Sequence, residues 1–262
     1  VNVPDFAARK RDGVPISMVT CYDAWSAALI AQTDIDCLLV GDSLAMVVYG
    51  HDTTLPADVA TMAAHTAAVR RGAPDAFIIG DLPFLSYRRG LGPAVDAAGD
   101  LMRAGAQAVK LEGAAGNLEI VRHLVESGVP VMGHLGLTPQ SVHRLGGFKV
   151  QARDGEAAAR LLDDARSLER AGCFAMVLEA VPAGVAADVT AALAIPTIGI
   201  GAGSRVDGQV LVLQDLLGVT TAFRPRFVRT WLDGSNLIRD ALDAYHRDVL
   251  AGTFPGDGES YS

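Results

Sequence analysis

The chain has 262 residues, half of them hydrophobic, and a formal net charge of -8 from 22 basic and 30 acidic side chains. This length suits a (β/α)8 barrel and one large core, so a single domain over residues 1–262 is expected. The acidic balance excludes a general affinity for nucleic acid or an anionic membrane surface, and it means that an anionic substrate needs local positive charge.

Cys21, Cys37 and Cys173 are widely spaced among apolar residues, which fits neither a disulfide framework nor a CxxC metal site. No apolar stretch is long enough to span a bilayer, and the N-terminal segment with Arg9-Lys10-Arg11 lacks the apolar run of a signal peptide. A protein of the reducing cytoplasm is expected.

In chain order, residues 16–20 read as a first strand and 24–32 as a helix. Leu38-Leu39-Val40 is an apolar run too short for a helix, and it ends in Gly41-Asp42-Ser43. A polar loop over 50–56 leads to an alanine-rich helix over 59–71, whose Arg70-Arg71 reads as a solvated end. Phe77-Ile78-Ile79-Gly80-Asp81 repeats the strand grammar. Helices are predicted over 93–104, 118–127 and 155–171, followed by Gly105, Gly128 and Gly172 as left-handed caps. They alternate with strands ending in Lys110 and Glu112, in His134, and in Glu179. A seventh strand over 196–200 runs into Gly201-Ala202-Gly203, and a weaker eighth covers 210–213. Strand and helix alternating eight times favour a parallel sheet closed into a (β/α)8 TIM barrel. A late helix over 237–250 and a mobile tail over 252–262 complete the expected layout.

In a barrel every strand opens its C-terminal end on one face, so Asp42, Asp81, Lys110, Glu112, His134 and Glu179 would converge there. Asp42, Asp81 and Glu112 suit a hard divalent cation such as Mg²⁺; alternatively each caps a helix or pairs with a base. Lys110 shares a strand face with Glu112, two residues on, and is either a ligand for a substrate carboxylate or a surface lysine. Glu179 is either a general base or a structural carboxylate. His134 either donates or shuttles a proton at the site or is a satisfied core group. Ser43 binds substrate or opens a helix. The Gly199 to Gly203 run either cradles an anion with its amides or permits close packing.

Several blocks in order, Val40-Gly41-Asp42-Ser43-Leu44, Gly50-His51-Asp52-Thr53-Thr54-Leu55-Pro56, Asp81-Leu82-Pro83-Phe84 and Gly133-His134-Leu135-Gly136-Leu137-Thr138-Pro139-Gln140-Ser141, resemble the ketopantoate hydroxymethyltransferase family. The resemblance extends from about Thr20 to about Gly218. Ala152 stands where that family often has glycine. The resemblance implies a barrel of the phosphoenolpyruvate mutase and isocitrate lyase superfamily, although the Lys-Lys-Cys-Gly-His loop expected of isocitrate lyases is absent. It also implies a decamer of two pentamer rings, Mg²⁺ as cofactor, and 5,10-methylenetetrahydrofolate and a 2-keto acid as substrates. By position it implies Asp42 and Asp81 as metal ligands that also meet substrate, with Glu112 beside the metal. Ser43 and Lys110 would hold the keto acid, His134 would be a further substrate contact, and Glu179 the catalytic base.

Overall fold

The computed structural model describes residues 1–220 and 225–261. Among these, eight strands form in the expected places: β1 (Ile16–Thr20), β2 (Cys37–Val40), β3 (Phe77–Asp81), β4 (Ala108–Glu112), β5 (Val131–Gly136), β6 (Ala175–Glu179), β7 (Thr197–Ile200) and β8 (Gly208–Leu211). Each pairs in parallel with the next, and β8 returns to β1 with Gly208 opposite Ile16, so the sheet is a closed (β/α)8 TIM barrel. The helices are α1 (Val3–Asp12), α2 (Ala24–Ile30), α3 (Leu44–Val47), α4 (Val59–Gly72), α5 (Leu91–Arg103), α6 (Leu118–Glu126), α7 (Val142–Leu145), α8 (Gly155–Ala171), α9 (Ala183–Ala192), α10 (Leu213–Leu216) and α11 (Gly234–Ala251). None of the described helices is long and apolar enough to cross a membrane. The chain divides into two compact units, Val1–Val212, which contains the whole barrel, and a second from Leu213 onward.

The barrel interior is filled by alternate strand residues, because side chains two apart share a face. Ile16, Met18, Cys37, Leu39, Phe77, Ile79, Met132, Val177, Ile198 and Val210 belong to one buried cluster with Phe6 of α1. Phe6 is fully buried and meets the Phe174 ring edge-on at 5.1 Å and the Phe77 ring at 5.5 Å. Phe77 opens β3 and Phe174 precedes β6, so α1 closes the N-terminal end of the barrel and leaves the C-terminal end for chemistry. The helix announces itself by a capping box between Asn2 and Asp5, a proline in its first turn and a left-handed Gly13, signals too compact for apolar periodicity to reveal. Lys10 anchors it to Asp207 at 2.8 Å, and Arg9 to Asp36 at 2.6 Å.

Gly105, Gly128 and Gly172 all take positive φ as expected. Arg70 departs from its reading as a solvated end. Its guanidinium is half-buried and donates to the carbonyls of Pro74, Ala76 and Gly105 and to Gln107 Oε1 at 2.7–3.0 Å, fastening the end of α4 to the loops beside it. The eighth strand lies two residues before its expected start, held there by its register with β1.

Candidate active site

Asp81, Lys110, His134 and Glu179 are each the next inward position beyond the apolar layer of their own strand, and Glu112 is the inward position after Lys110. Phe77 and Ile79 lead to Asp81, Ala108 to Lys110 and Glu112, Met132 to His134, and Ala175 and Val177 to Glu179. The alternation that packs the core therefore aims these groups into the C-terminal mouth. Asp42 lies two residues beyond β2, and with Asp81, Lys110, Glu112 and His134 it is buried.

Short contacts join them. Asp42 N donates to Asp81 Oδ2 at 3.2 Å. Lys110 Nζ stands 2.8 Å from Asp81 Oδ1, an ion pair whose angles fall short of a hydrogen bond. Lys110 Nζ also lies 3.3 Å from His134 Nδ1, and the same ring nitrogen is 3.5 Å from Glu112 Oε1. Both residues of the Lys110 and Glu112 pair thus reach His134, as their shared strand face predicts. His134 Nε2 is 3.2 Å from Glu179 Oε2. All the inward-facing candidates stand in one connected cluster. Ser43 joins it from the side: its hydroxyl bonds to the Tyr22 hydroxyl at 2.8 Å and makes no capping bond to α3.

Crowded carboxylates set the electrostatics. Burial, then the charges of Asp81 and Glu112, push the Asp42 carboxyl well above the usual carboxylate range. Burial alone would lower the Lys110 ammonium, but the carboxylates of Asp81, Glu112 and Asp42 raise it above its ordinary value. Burial and the Lys110 charge likewise oppose protonation of His134, yet Glu112 and Glu179 prevail and push it up to about 9.

One residue with no predicted role organises this cluster. Gln140 is buried in a 3-10 turn after β5 (Pro139–Ser141), and its Nε2 donates to Asp42 Oδ2 at 2.9 Å and to the Leu82 carbonyl at 3.0 Å. Its backbone N–H donates to Glu112 Oε2 at 3.0 Å, and its Oε1 accepts from the Tyr87 hydroxyl at 2.7 Å. One residue thus sets two carboxylates. The sequence signal for it is only its place in the block after His134.

Glycine is required at one point. Gly136 has φ +91°, and a Cβ there would lie 2.2 Å from the Glu179 carbonyl oxygen, which accepts from Leu137 N at 2.8 Å. The end of β5 therefore lies against the backbone of Glu179 and fixes where that side chain starts. In the Gly199 to Gly203 run, a Cβ on Gly203 would lie 2.4 Å from Ala183 Cβ, which favours the close-packing reading.

Among the described residues no three His, Cys, Asp or Glu side chains already stand as a metal cage. The donor set nonetheless fits a hard divalent cation. Asp42, Asp81 and Glu112 are three carboxylates around the single ammonium of Lys110, and with His134 and Glu179 counted as an ion pair, two negative charges are unbalanced when Asp42 is ionised. That repulsion pushes the Asp42 carboxyl up, and a bound cation would relieve it. Asp81 Oδ1 and Glu112 Oε1 are buried without a hydrogen-bond donor. Oxygen-rich, excess-negative sites of this kind suit Mg²⁺.

The ketopantoate hydroxymethyltransferase family matches residues 1–257. The chain belongs to the ketopantoate hydroxymethyltransferase family. A 3-methyl-2-oxobutanoate hydroxymethyltransferase of Bdellovibrio bacteriovorus is 60% identical over 261 residues, covering 100% of this chain and 99% of that one. Another, from Coxiella burnetii, is 57% identical over 256 residues, covering 97% and 96%. As a member of the ketopantoate hydroxymethyltransferase family, the protein is a transferase. Its fold is shared with a 2,3-dimethylmalate lyase of the PEP mutase/isocitrate lyase superfamily, with TM-score 0.62 at 17% identity over 94% of this chain and 87% of that one. It is shared too with a phosphonopyruvate hydrolase complexed with oxalate and Mg²⁺, with TM-score 0.65 at 10% identity over 99% and 93%.

Proposed function

We propose that the protein transfers a one-carbon unit from 5,10-methylenetetrahydrofolate to 3-methyl-2-oxobutanoate. With one water consumed, the products are 2-dehydropantoate and tetrahydrofolate, in pantothenate synthesis. Family membership supports the acceptor and the hydroxymethyl transfer. The observation that carries the chemistry is the graded exposure of one connected cluster: the Glu179 side chain is 18% exposed, against 2% for Asp81, 3% for Glu112 and 4% for Lys110. Glu179 is the most accessible of these groups from the mouth, and Asp81, Glu112 and Lys110 form the floor on which the substrate would rest.

The roles follow from position. Glu179 takes the proton from C3 of the keto acid, held in place by His134 on one oxygen and by the Gly136 backbone beneath it. The buried Lys110 ammonium binds the substrate carboxylate, and Ser43, oriented by Tyr22, fixes its register. Asp42, Asp81 and Glu112 would hold Mg²⁺, which when bound supplies positive charge against the charge that grows on the keto oxygen as C3 loses its proton. The deprotonated C3 then attacks the methylene carbon of the folate as one of its carbon to nitrogen bonds breaks. The oxygen of the consumed water bonds to the same carbon as the second breaks, and the C3 proton and one proton of the water go to the two folate nitrogens.

The reading extends to assembly and location. Leu237, Ile238, Leu242, Tyr245, Val249 and Leu250 are exposed on α11, an apolar surface that supports association of copies into the decamer of two pentamer rings. Three free, buried thiols support a reducing cytoplasm.

Incubation with 3-methyl-2-oxobutanoate in D₂O with and without Mg²⁺, followed by NMR at C3, tests the first half-reaction without folate. Adding methylenetetrahydrofolate tests the second. Glu179→Gln is expected to lower exchange at least about 100-fold while keto-acid binding stays measurable. Unchanged exchange in that variant removes Glu179 as the base, and no Mg²⁺-dependent exchange in the parent protein removes the mechanism.

A further inference from the structure

Beside the carboxylate cluster the barrel mouth opens into a cavity of about 720 Å³, lined by Glu112 where it meets the cluster. This is within the range of cavities that enclose a whole cofactor-sized ligand, and larger than a five-carbon keto acid requires. The remaining walls come from the loops after β3, β4 and β5, from α7 and from the first turns of α8.

Its charge is opposite to that of the protein as a whole. Arg88, Arg144 and Arg160 line it against Glu112 and Asp164, and Glu112 is turned toward Gln140 N and His134. Arg88 is held by the carbonyl of Ala115 at 2.6 Å. Arg160 pairs with Glu156 one helical turn away, with both side chains well exposed, and such a pair yields readily to a competing carboxylate. Among the described residues Arg144 makes no hydrogen bond or ion pair. A chain of net charge -8 therefore places guanidinium groups with donors to spare in the cavity that adjoins its site.

Backbone strain marks the same place. The described non-glycine residues with positive φ are Leu85 at 61°, Ala152 at 54° and Ala180 at 46°. The first two line the cavity, and the third follows Glu179. Side chains in the left-handed region cost free energy and persist where surrounding structure enforces them, commonly at ligand sites.

We propose that this cavity receives the one-carbon donor. The glutamyl carboxylates of the reduced folate lie on Arg144 and Arg160, its rings lie along the apolar lining, and its methylene carbon points to the Glu112 end. The assignment rests on the reading that methylenetetrahydrofolate is the donor. The guanidinium forks match the tail carboxylates, which take no part in the bond changes, so they act on folate affinity alone.

Steady-state kinetics of the full-length Arg144→Ala, Arg160→Ala and double variants, with mono- and triglutamyl methylenetetrahydrofolate, tests this. The double variant is expected to raise the folate KM about tenfold or more, most for the triglutamate, since two charge-assisted contacts are lost. Its kcat, keto-acid KM and Mg²⁺-dependent C3 exchange in D₂O stay within about twofold of the parent on the same scale. Arg144→Lys and Arg160→Lys recover part of the affinity by charge, and they carry the test if the double variant loses exchange through misfolding. A folate KM unchanged in the double variant, or in both single variants, overturns the proposal. If the parent exchanges the C3 proton but makes no 2-dehydropantoate with methylenetetrahydrofolate, the donor reading itself falls, before any variant is made.

Discussion

Replacing Gln140 by methionine keeps the length and bulk of the side chain while removing both of its donors and its acceptor. The Nε2 bonds to Asp42 Oδ2 at 2.9 Å and to the Leu82 carbonyl at 3.0 Å disappear, and the Tyr87 hydroxyl loses its acceptor at 2.7 Å. The bond to a carboxylate accounts for about 1.5–3 kcal/mol and the neutral bonds for about 1 kcal/mol each, so a local loss of about 3–5 kcal/mol is expected. The backbone bond from residue 140 to Glu112 survives, because its N–H is untouched. The damage therefore falls on Asp42, a carboxyl already pushed toward protonation by burial and by the charges of Asp81 and Glu112. Groups that orient metal ligands typically contribute 10- to 100-fold in affinity, and Mg²⁺ binding to Gln140→Met should weaken by about that factor. Titration calorimetry with MgCl₂ measures it directly, and the C3 exchange rate at saturating Mg²⁺ separates lost binding from lost chemistry. A variant that melts earlier but binds Mg²⁺ with parental affinity would refute the positioning role and leave Gln140 as ordinary packing.

Removing the cation should also be visible in stability. At 100 times its dissociation constant Mg²⁺ adds about 2.7 kcal/mol, which for a chain of this size is a rise in Tm of about 5–11 °C that EDTA reverses. Asp42→Ala should abolish the response, and an undiminished shift would take Asp42 out of the ligand set. Gly136→Ala must place a Cβ 2.2 Å from the Glu179 carbonyl in a left-handed backbone, so a loss of about 2–4 kcal/mol is expected from urea unfolding, and parental stability would contradict the close approach. Burial pushes the Cys37 and Cys173 thiols up to about 12. They stay protonated at pH 8, and folded protein should resist alkylation there while urea-unfolded protein reacts at all three cysteines. The sign for stability follows from the raised value: their contribution is intact below an unfolded thiol pKa of about 9 and is lost as pH climbs toward 12. Rapid labelling of the folded protein at pH 8 would contradict it.

The barrel and most of the cluster were legible in the residues, because both rest on local rules. Apolar runs of four or five residues bounded by glycine and alternating with helical stretches leave few topologies open. The period of two along a strand places Asp81, Lys110, Glu112, His134 and Glu179 on the same inward face as the core below them. Once closure is inferred, their convergence follows without knowledge of any contact. Helix α1 and the half-buried Arg70 escaped this logic for different reasons. The first is defined by caps more than by periodicity, and the second by three carbonyls brought to it from two loops.

What the sequence by itself determined is the set of strand-borne groups and the side of the barrel they face, since these depend only on spacing along the chain. Only the tertiary structure decided which groups govern one another. Gln140 reaches Asp42 across 98 positions, Tyr22 reaches Ser43 across 21, and the arginine-lined cavity is assembled from five separate segments. Hydrogen bonds and Coulomb attraction act over a few ångströms in space and are indifferent to separation in sequence. Gln140, the partner that Asp42 and Glu112 share, therefore comes from a turn after β5, whose placement no periodicity records.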